Sequence, residues 1–136
     1  MRLTRQRGWT LTEVTVTCAV VAVLAAVALP SFRRPLMKAH RTDAVSTLMR
    51  LQAAQERLRG HSGLYSDDLS RLQMPVRSDE GLYALAVELT GPDSYRASAS
   101  VVAGTSQEAD HECAQITLEV SQGFAKTGPS PRCWNR

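Results

Sequence analysis

The chain has 136 residues, of which 43% are hydrophobic, and a formal net charge of +3. This length allows one small domain and a terminal segment. The positive charge is concentrated in Arg2, Arg5 and Arg7, because from Trp9 onward 13 Lys and Arg balance 13 Asp and Glu. A calculated pI near 9.0 therefore reflects a short leader and does not indicate a nucleic-acid-binding body.

A run of mostly apolar residues follows the leader, from Trp9 to Leu29. As a helix it would be about 30 Å long, which matches the hydrocarbon thickness of a bilayer. The preceding arginines predict that the N-terminus is cytoplasmic and that the rest of the chain lies outside. Glu13 stands at the start of this run, and because a carboxylate in a membrane segment is costly, it indicates function rather than packing.

Three common kinds of N-terminal segment explain this run only in part. Ala26-Val27-Ala28 is a small-x-small site that suits a cleaved signal peptide, but Glu13 weakens the apolar region that such a peptide needs. Cys18 lacks the residues expected before a lipidated cysteine, and a lone cysteine here is best interpreted as a small hydrophobic residue. A plain membrane anchor accounts for the length but not for Glu13.

The segment Arg7-Gly8-Trp9-Thr10-Leu11-Thr12-Glu13-Val14 resembles the type IV prepilin signal, in which a basic leader ends in glycine before an aromatic residue. The resemblance implies that a prepilin peptidase cleaves after Gly8 and that the new N-terminus, Trp9, is methylated. Glu13 would then be mature residue five, the position of the family's acid. Pro30 would be mature residue 22, where a proline commonly kinks the helix. Trp9 replaces the usual Phe, and Thr12 stands where Ile or Leu is typical.

Glu13 also has a physical role to play if the chain is cut after Gly8. The amine of Trp9 then lies about one helical turn from the carboxylate. In a stack of parallel helices, that carboxylate can pair with the amine of a neighbouring subunit, and burying the two charges together is tolerable whereas burying one alone is not. Pairing of Glu13 within its own helix end is the alternative.

One long helix is predicted from about residue 9 to 59, with a kink at Pro30 and a stop at Gly60. In its second half, residues at intervals of three and four form the apolar stripe predicted to face the core: Ala44, Leu48, Leu51, Gln55 and Leu58. The residues predicted to face solvent are Arg41, Asp43, Arg50, Glu56 and Arg57.

Three strand-like segments follow, at residues 82–89, 95–103 and 114–120, and residues 123–136 are predicted to form a loop. These patterns predict an α+β fold in which the second half of the helix packs on a small antiparallel sheet. The predicted organisation is a leader at 1–8, a transmembrane and assembly helix at 9–35, and a globular head at 36–136.

Cys113 and Cys133 fit a disulfide if the head lies in an oxidising compartment. A metal site is less favoured, since there is no CxxC spacing and no paired histidine. The pattern Asp110-x-x-Cys113, Ile116-x-Leu118, Gly123 and Cys133-Trp134 resembles the C-terminal half of PilE-type minor pilins. That resemblance implies a disulfide between the two cysteines that closes the D-region loop onto the sheet.

The sequence contains no motif for catalysis, for a cofactor or for a metal, so we expect a protein that is not an enzyme. His40, His61 and His111 lie in different predicted elements and are interpreted as surface residues. Asp67 and Asp68 lack a third acid or a histidine cluster and are interpreted as solvated or helix-capping. Cys113 with His111 as a base is a weak nucleophile candidate, because Cys133 is the better partner.

The family resemblance implies a structural minor subunit of a type IV pilus that supports pilus biogenesis, adhesion and twitching motility. Its partners would be other pilin subunits, the prepilin peptidase and methylase, and the inner membrane, which holds the precursor with its head in the periplasm before assembly into the extracellular pilus. One alternative is a minor pseudopilin of a type II secretion system. Another is a DNA-binding pilin for DNA uptake, less favoured, in which the tail would hold nucleic acid through Lys126, Arg132, Trp134 and Arg136.

Overall fold

The computed structural model describes residues 9–135, without the side chains of residues 29–31. Gly8, at the predicted cleavage site, and Arg136 lie outside the described residues. The chain divides into two compact units, Met1–Pro35 and Leu36–Arg136. The second unit is called the head below.

A single helix, α1, spans Leu11–Ser62, three residues beyond the predicted end. In the first unit its segment Leu11–Ala28 has a mean hydropathy of 2.2 and none of it is buried, so it is long and apolar enough to cross a membrane. The backbone is helical through Pro30, and the kink there stays a prediction.

The head contains a four-stranded antiparallel sheet in the order β1-β2-β3-β4. Its strands are β1 Tyr83–Gly91, β2 Ser94–Val101, β3 Gln115–Ser121 and β4 Phe124–Gly128. Short 3-10 helices occur at Ser106–Ala109, His111–Cys113 and Pro131–Trp134. The α+β fold and the three predicted strands are confirmed.

The prediction that residues 123–136 form a loop is wrong. Residues Phe124–Gly128 pair with β3, and Pro131–Trp134 forms a 3-10 helix. The β3–β4 hairpin turns at Gln122 and Gly123, whose φ angles of 52° and 83° both lie in the left-handed region that two-residue hairpin turns require. A short strand with few apolar residues carries little alternation, so its sequence alone did not identify it.

The core lies between the sheet and the second half of α1. The predicted stripe is confirmed for its first four residues, which are fully buried, whereas Leu58 is only partly buried. Gln55 is accommodated because its amide donates to the carbonyl of Ser66 at 2.6 Å and accepts from the amide of Ser66 at 3.0 Å. The sheet supplies alternate residues from its inner face: Tyr83, Leu85, Tyr95, Ala97, Ala99, Ile116, Leu118 and Val120.

The prediction that Arg41 and Asp43 face solvent is wrong. Asp43 is buried, and the side chain of Arg41 is only 12% exposed. Segments distant in sequence cover this side of the helix: Asp110 binds Arg41, and the backbone amide of Glu80 donates to Asp43 Oδ1 at 3.3 Å. Helical periodicity cannot reveal this cover, because it comes from loops.

Candidate functional site

The start of α1 carries a polar cluster in an otherwise apolar segment. The Thr10 hydroxyl accepts from the amide of Glu13 at 3.3 Å, as an N-cap does, and the Thr17 hydroxyl donates to the carbonyl of Glu13 at 2.7 Å. The backbone of Glu13 is therefore satisfied within the helix. Its carboxylate has no hydrogen-bond or ion-pair partner among residues 9–135, and Trp9 is 72% exposed. Both groups are free to meet another molecule.

A disulfide joins Cys113 and Cys133, with an S–S distance of 2.00 Å and Cα atoms 5.5 Å apart. Both residues are almost completely buried. The predicted cross-link is confirmed, and it holds the C-terminal 3-10 helix against the start of β3.

An ion pair fastens this cross-linked region to the helix. Arg41 donates to both carboxylate oxygens of Asp110, from Nε and from Nη2, each at 2.7 Å, and from Nη1 to the carbonyl of Arg132 at 3.2 Å. Gln107 adds a bond to Asp110 at 2.8 Å and one to the carbonyl of Met37 at 3.1 Å. A two-pronged guanidinium–carboxylate contact fixes orientation as well as distance, so Arg41 positions the backbone on both sides of the disulfide.

The side chain of Trp134 is buried, and its indole N–H donates to the carbonyl of Gly128 at 2.9 Å. The less favoured alternative in which Trp134 stacks on nucleic acid is therefore contradicted, because stacking requires an accessible ring face. Lys126 and Arg132 are exposed, while Arg136 lies outside the described residues. Without the tryptophan, the described part of the tail presents two exposed cations and one exposed aromatic ring, that of Phe124.

A groove of about 300 Å³ lies between the helix of the head and the segment that leads to β1. Its lining consists of Arg50, Ala53, Arg57, Gln73, Met74 and Pro75. Arg50 pairs with Asp79 at 2.8 Å, whereas the exposed Arg57 makes no ion pair within the described part of the chain. Two cations thus border a cleft with an apolar floor.

One wall of this groove, called the loop wall below, is formed by Gln73, Met74 and Pro75. Backbone hydrogen bonds hold it in place. The amide of Gln73 donates to Ser70 at 3.0 Å, and that of Met74 donates to Leu69 at 2.9 Å. Leu72 is buried beneath the segment, and Gln73 itself adopts a φ of 56°. A non-glycine residue in this region is strained and often marks a functional position. The exposed side chain of Gln73 therefore lines the groove on a backbone that is held by hydrogen bonds.

The end of the helix meets the β1–β2 turn through an aromatic and ionic cluster. The rings of Tyr65 and Tyr95 meet edge to face, with their centres 4.8 Å apart. The guanidinium of Arg59 lies 4.8 Å from the centre of the Tyr65 ring. Arg59 also donates to Tyr65 at 2.7 Å and to Asp93 at 3.0 Å. Burial raises the pKa of Tyr65, and more strongly that of Tyr95. This cluster is structural.

The remaining candidate residues form no common site. His61 is bonded to the carbonyl of Arg57, and Asp68 caps its own turn by accepting from the amide of Ser70 at 2.8 Å. Within residues 9–135, no three His, Cys, Asp or Glu side chains are grouped so that they could hold a metal ion.

Sequence reasoning identified the disulfide but missed the groove and the Arg41–Asp110 pair. Both join residues that are far apart in the chain: Arg41 and Asp110 are 69 positions apart. The one available signal for the groove was the frequency of arginine between residues 50 and 77, where Arg50, Arg57, Arg59, Arg71 and Arg77 occur.

Two comparisons with known proteins bear on the family. No curated protein matches the chain significantly. A family model described as "Type IV minor pilin ComP, DNA uptake sequence receptor" matches residues 30–117, well over half of the chain. The match includes the helix of the head, β1, β2 and the start of β3, while the apolar segment before it agrees with a pilin's N-terminal helix. The chain therefore belongs to this family and is a type IV minor pilin.

Proposed function

We propose that this minor pilin binds double-stranded DNA for uptake and that the groove at Arg50 and Arg57 is the binding site. The observation that carries the proposal is that two arginines and the exposed Gln73 line one cleft. The family's description as a DNA uptake sequence receptor supports the choice of ligand. The role is one of binding, and we propose no catalytic activity.

The phosphate backbone is the part of DNA that the arginines would bind. Arginine presents a fork of donors that matches phosphate oxygens. Arg71 and Arg77 flank the loop wall in sequence, are exposed, and make no ion pair among the residues that the structure describes. Together with Arg57, which lines the groove, they make three exposed arginines without an ion pair in or next to the groove-lining segments of the sequence.

Binding of this kind must be local, because the head as a whole is not basic. Residues 36–136 contain 11 Lys and Arg against 12 Asp and Glu. About three phosphate contacts predict that log K falls with log salt with a slope of about −3. A protein with a broadly basic surface would give a much steeper dependence.

Gln73 is suited to reading sequence rather than to adding affinity. A glutamine amide can donate to and accept from the edge of an adenine in the major groove, and such a contact discriminates by about 1–3 kcal/mol. Its backbone is already ordered by hydrogen bonds, so only the side chain loses freedom on binding. We therefore assign phosphate contacts to the arginines and base discrimination to Gln73.

Fluorescence anisotropy with labelled duplexes tests this assignment. The probes are a pool of randomised duplexes and the sequence that selection enriches from it. Arg57→Ala and Arg71→Ala should each weaken binding to both probes and reduce the salt slope by about 1. Gln73→Gly keeps the left-handed backbone and removes the amide, so it should abolish the preference for the selected sequence while leaving binding to the random pool.

The matched controls are Lys126→Ala and Arg132→Ala, which remove exposed cations from the tail. If these variants abolish binding while Arg57→Ala and Arg71→Ala do not, the tail is the DNA site and the groove assignment fails. If wild-type protein binds neither probe at low salt, the proposed function itself fails.

We further propose that the subunit enters the pilus by the route that its N-terminus predicts. The precursor would sit in the inner membrane with a cytoplasmic leader and a periplasmic head, be cut after Gly8, and be methylated on Trp9. The carboxylate of Glu13 would then pair with the amine of a neighbouring subunit. Support for adhesion and twitching motility is proposed on the same basis, as a consequence of incorporation into the fibre.

The intact mass of the mature chain tests the processing. A methylated start at Trp9 supports it, and Gly8→Ala should leave the precursor uncut. A mature start at Leu29 would identify an ordinary signal peptide instead, and the proposed assembly through Glu13 would then be wrong.

A further inference from the structure

The sheet of the head has one face on the helix and one face that no described residue covers. On this outer face a row of charged side chains crosses all four strands. In the strand register, Glu88 lies beside Arg96, Arg96 beside Glu119, and Glu119 beside Lys126. The row therefore reads acid, base, acid, base from β1 to β4.

The charges of this row are only partly matched within the subunit. Arg96 Nε lies 2.7 Å from Glu119 Oε1, with both side chains nearly half exposed. Glu88 and Lys126, at the two ends, make no ion pair with any described residue. An acid at one edge of the sheet and a base at the other are thus left open to a partner.

Such a row is complementary to itself. Consider a second copy related to the first by a two-fold axis that runs parallel to the strands and lies over the middle of the sheet, between β2 and β3. Each row then faces the same row of the other copy in reversed order, so that β1 lies opposite β4 and β2 lies opposite β3. Glu88 then lies opposite Lys126 of the other copy, and Arg96 lies opposite Glu119. Every charge meets its opposite, twice over, as a contact between identical surfaces requires.

The shapes of the neighbouring rows agree with the same axis. Phe124, which is 81% exposed, shares a row with Gly91 at the opposite edge of the sheet and would face that glycine in the other copy. On the other side of the charged row, Ala86 would face Gly128, and Ser98 would face Thr117. Phe124 would meet only small groups there, since the Ser94 hydroxyl lies 2.7 Å from where a Cβ of Gly91 would be. The facing side chains of the other row are also small, so the two sheets can approach to the usual separation of about 10 Å.

We propose that the outer face of the sheet binds a second copy of this chain in a symmetric, face-to-face dimer. The contact is largely ionic and exposed, so its affinity is moderate and falls with salt. The groove at Arg50 and Arg57 borders the helix on the other side of the sheet and stays accessible. The dimer therefore joins two heads from different membrane or fibre positions without blocking the proposed DNA site.

Charge reversal with mixing tests the pairing. In Arg96→Glu chains, residue 96 would face Glu119 of an identical partner, and in Glu119→Arg chains, residue 119 would face Arg96, so like charges oppose in both cases. Sedimentation of the full-length chain in non-ionic detergent should show self-association weakened at least about tenfold for each variant. Mixing the two variants restores opposite charges at every position and should return association to near the wild-type level.

The rescue distinguishes this contact from the pair inside each subunit, because neither variant regains its internal Arg96–Glu119 pair on mixing. The double variant R96E/E119R should associate with itself and not with wild type. Arg132→Glu, a reversal away from this face, is the control and should leave association unchanged. Far-UV circular dichroism establishes that each variant is folded.

Three results would overturn the proposal: a monomeric wild type at low salt, equal association of wild type and single reversals, or no recovery on mixing. The second would place association in the apolar helix. DNA binding through the groove is measured separately and is unaffected by any of these outcomes.

Discussion

Removal of the Arg41 side chain should destabilise the head more than removal of any other ion-pairing arginine. In Arg41→Ala the carboxylate of Asp110, only 4% exposed, loses both of its guanidinium contacts. Breaking a buried pair by deleting one partner typically costs about 3–5 kcal/mol, since the remaining charge is left uncompensated. Gln107 still donates to Asp110 at 2.8 Å, so we expect a loss of about 3 kcal/mol, at the lower end of this range.

The loss is large relative to the whole. A domain of this size has a free energy of unfolding of about 5–15 kcal/mol, and a loss of about 3 kcal/mol lowers its Tm by roughly 12–24 °C. Arg50→Ala is the matched control, because its pair with Asp79 has side chains 50% and 61% exposed. Exposed pairs contribute about 0–1 kcal/mol, so this variant should unfold almost as wild type does.

Urea unfolding of the oxidised full-length chain in detergent, followed by tryptophan fluorescence, measures both variants. Trp134 is buried beside the disulfide and reports on the head, whereas Trp9 is exposed and contributes a constant background. The double variant R41A/D110A should cost less than the sum of the two single changes, because it leaves no orphaned charge. A cost below about 1 kcal/mol for Arg41→Ala, equal to that of Arg50→Ala, would mean that the pair is solvated and that it does not position the disulfide region.

Three further predictions concern other parts of the chain. Burial raises the pKa of Tyr83 from 10.0 to about 12, so its contribution to stability is complete below pH 10 and is lost between pH 10 and 12, where the unfolded state releases the proton first. This loss lowers the free energy of unfolding by up to about 1.4 kcal/mol per pH unit, in addition to the loss from Tyr95, whose pKa burial also raises. The free energy of unfolding should therefore fall less steeply with pH in Tyr83→Phe than in wild type. Cys113 and Cys133 should resist alkylation until reduced, and reduction should lower the free energy of unfolding by about 3 kcal/mol, whereas labelling of both in the native protein would exclude the disulfide. Glu13→Ala should be processed normally yet appear several-fold less in sheared fibres, and wild-type amounts there would contradict the pairing role.

Local patterns in the sequence predicted most of the head correctly. The stripe at Ala44, Leu48 and Leu51 is buried as its spacing indicates, because a helix packed on one face must repeat its apolar residues every three or four positions. The three strand-like segments predicted at residues 82–89, 95–103 and 114–120 correspond to β1, β2 and β3. β4 was missed, since five residues with little alternation become a strand only through pairing with β3.

The candidate sites divide in the same way. The cysteine pair could be matched from sequence because only two cysteines lie in the head. The less favoured DNA-binding alternative relies on cations and a tryptophan close together in the tail, yet Trp134 packs inside. The groove at Arg50 and Gln73 brings together residues from two elements, and nothing in their local sequence indicates that they share a cleft.

The sequence by itself determined the class of this protein, since an apolar N-terminal run with Glu13 five residues after Gly8 is a signal carried by adjacent residues and needs no fold to be recognised. It also determined the helix, three strands and the available disulfide, because periodicity and residue type act locally. Only the tertiary structure decided which polar residues are buried, which arginines form ion pairs, and how charges line up across the sheet. Those properties depend on contacts between segments many residues apart, and burial and electrostatics follow from such contacts rather than from the order of residues in the chain.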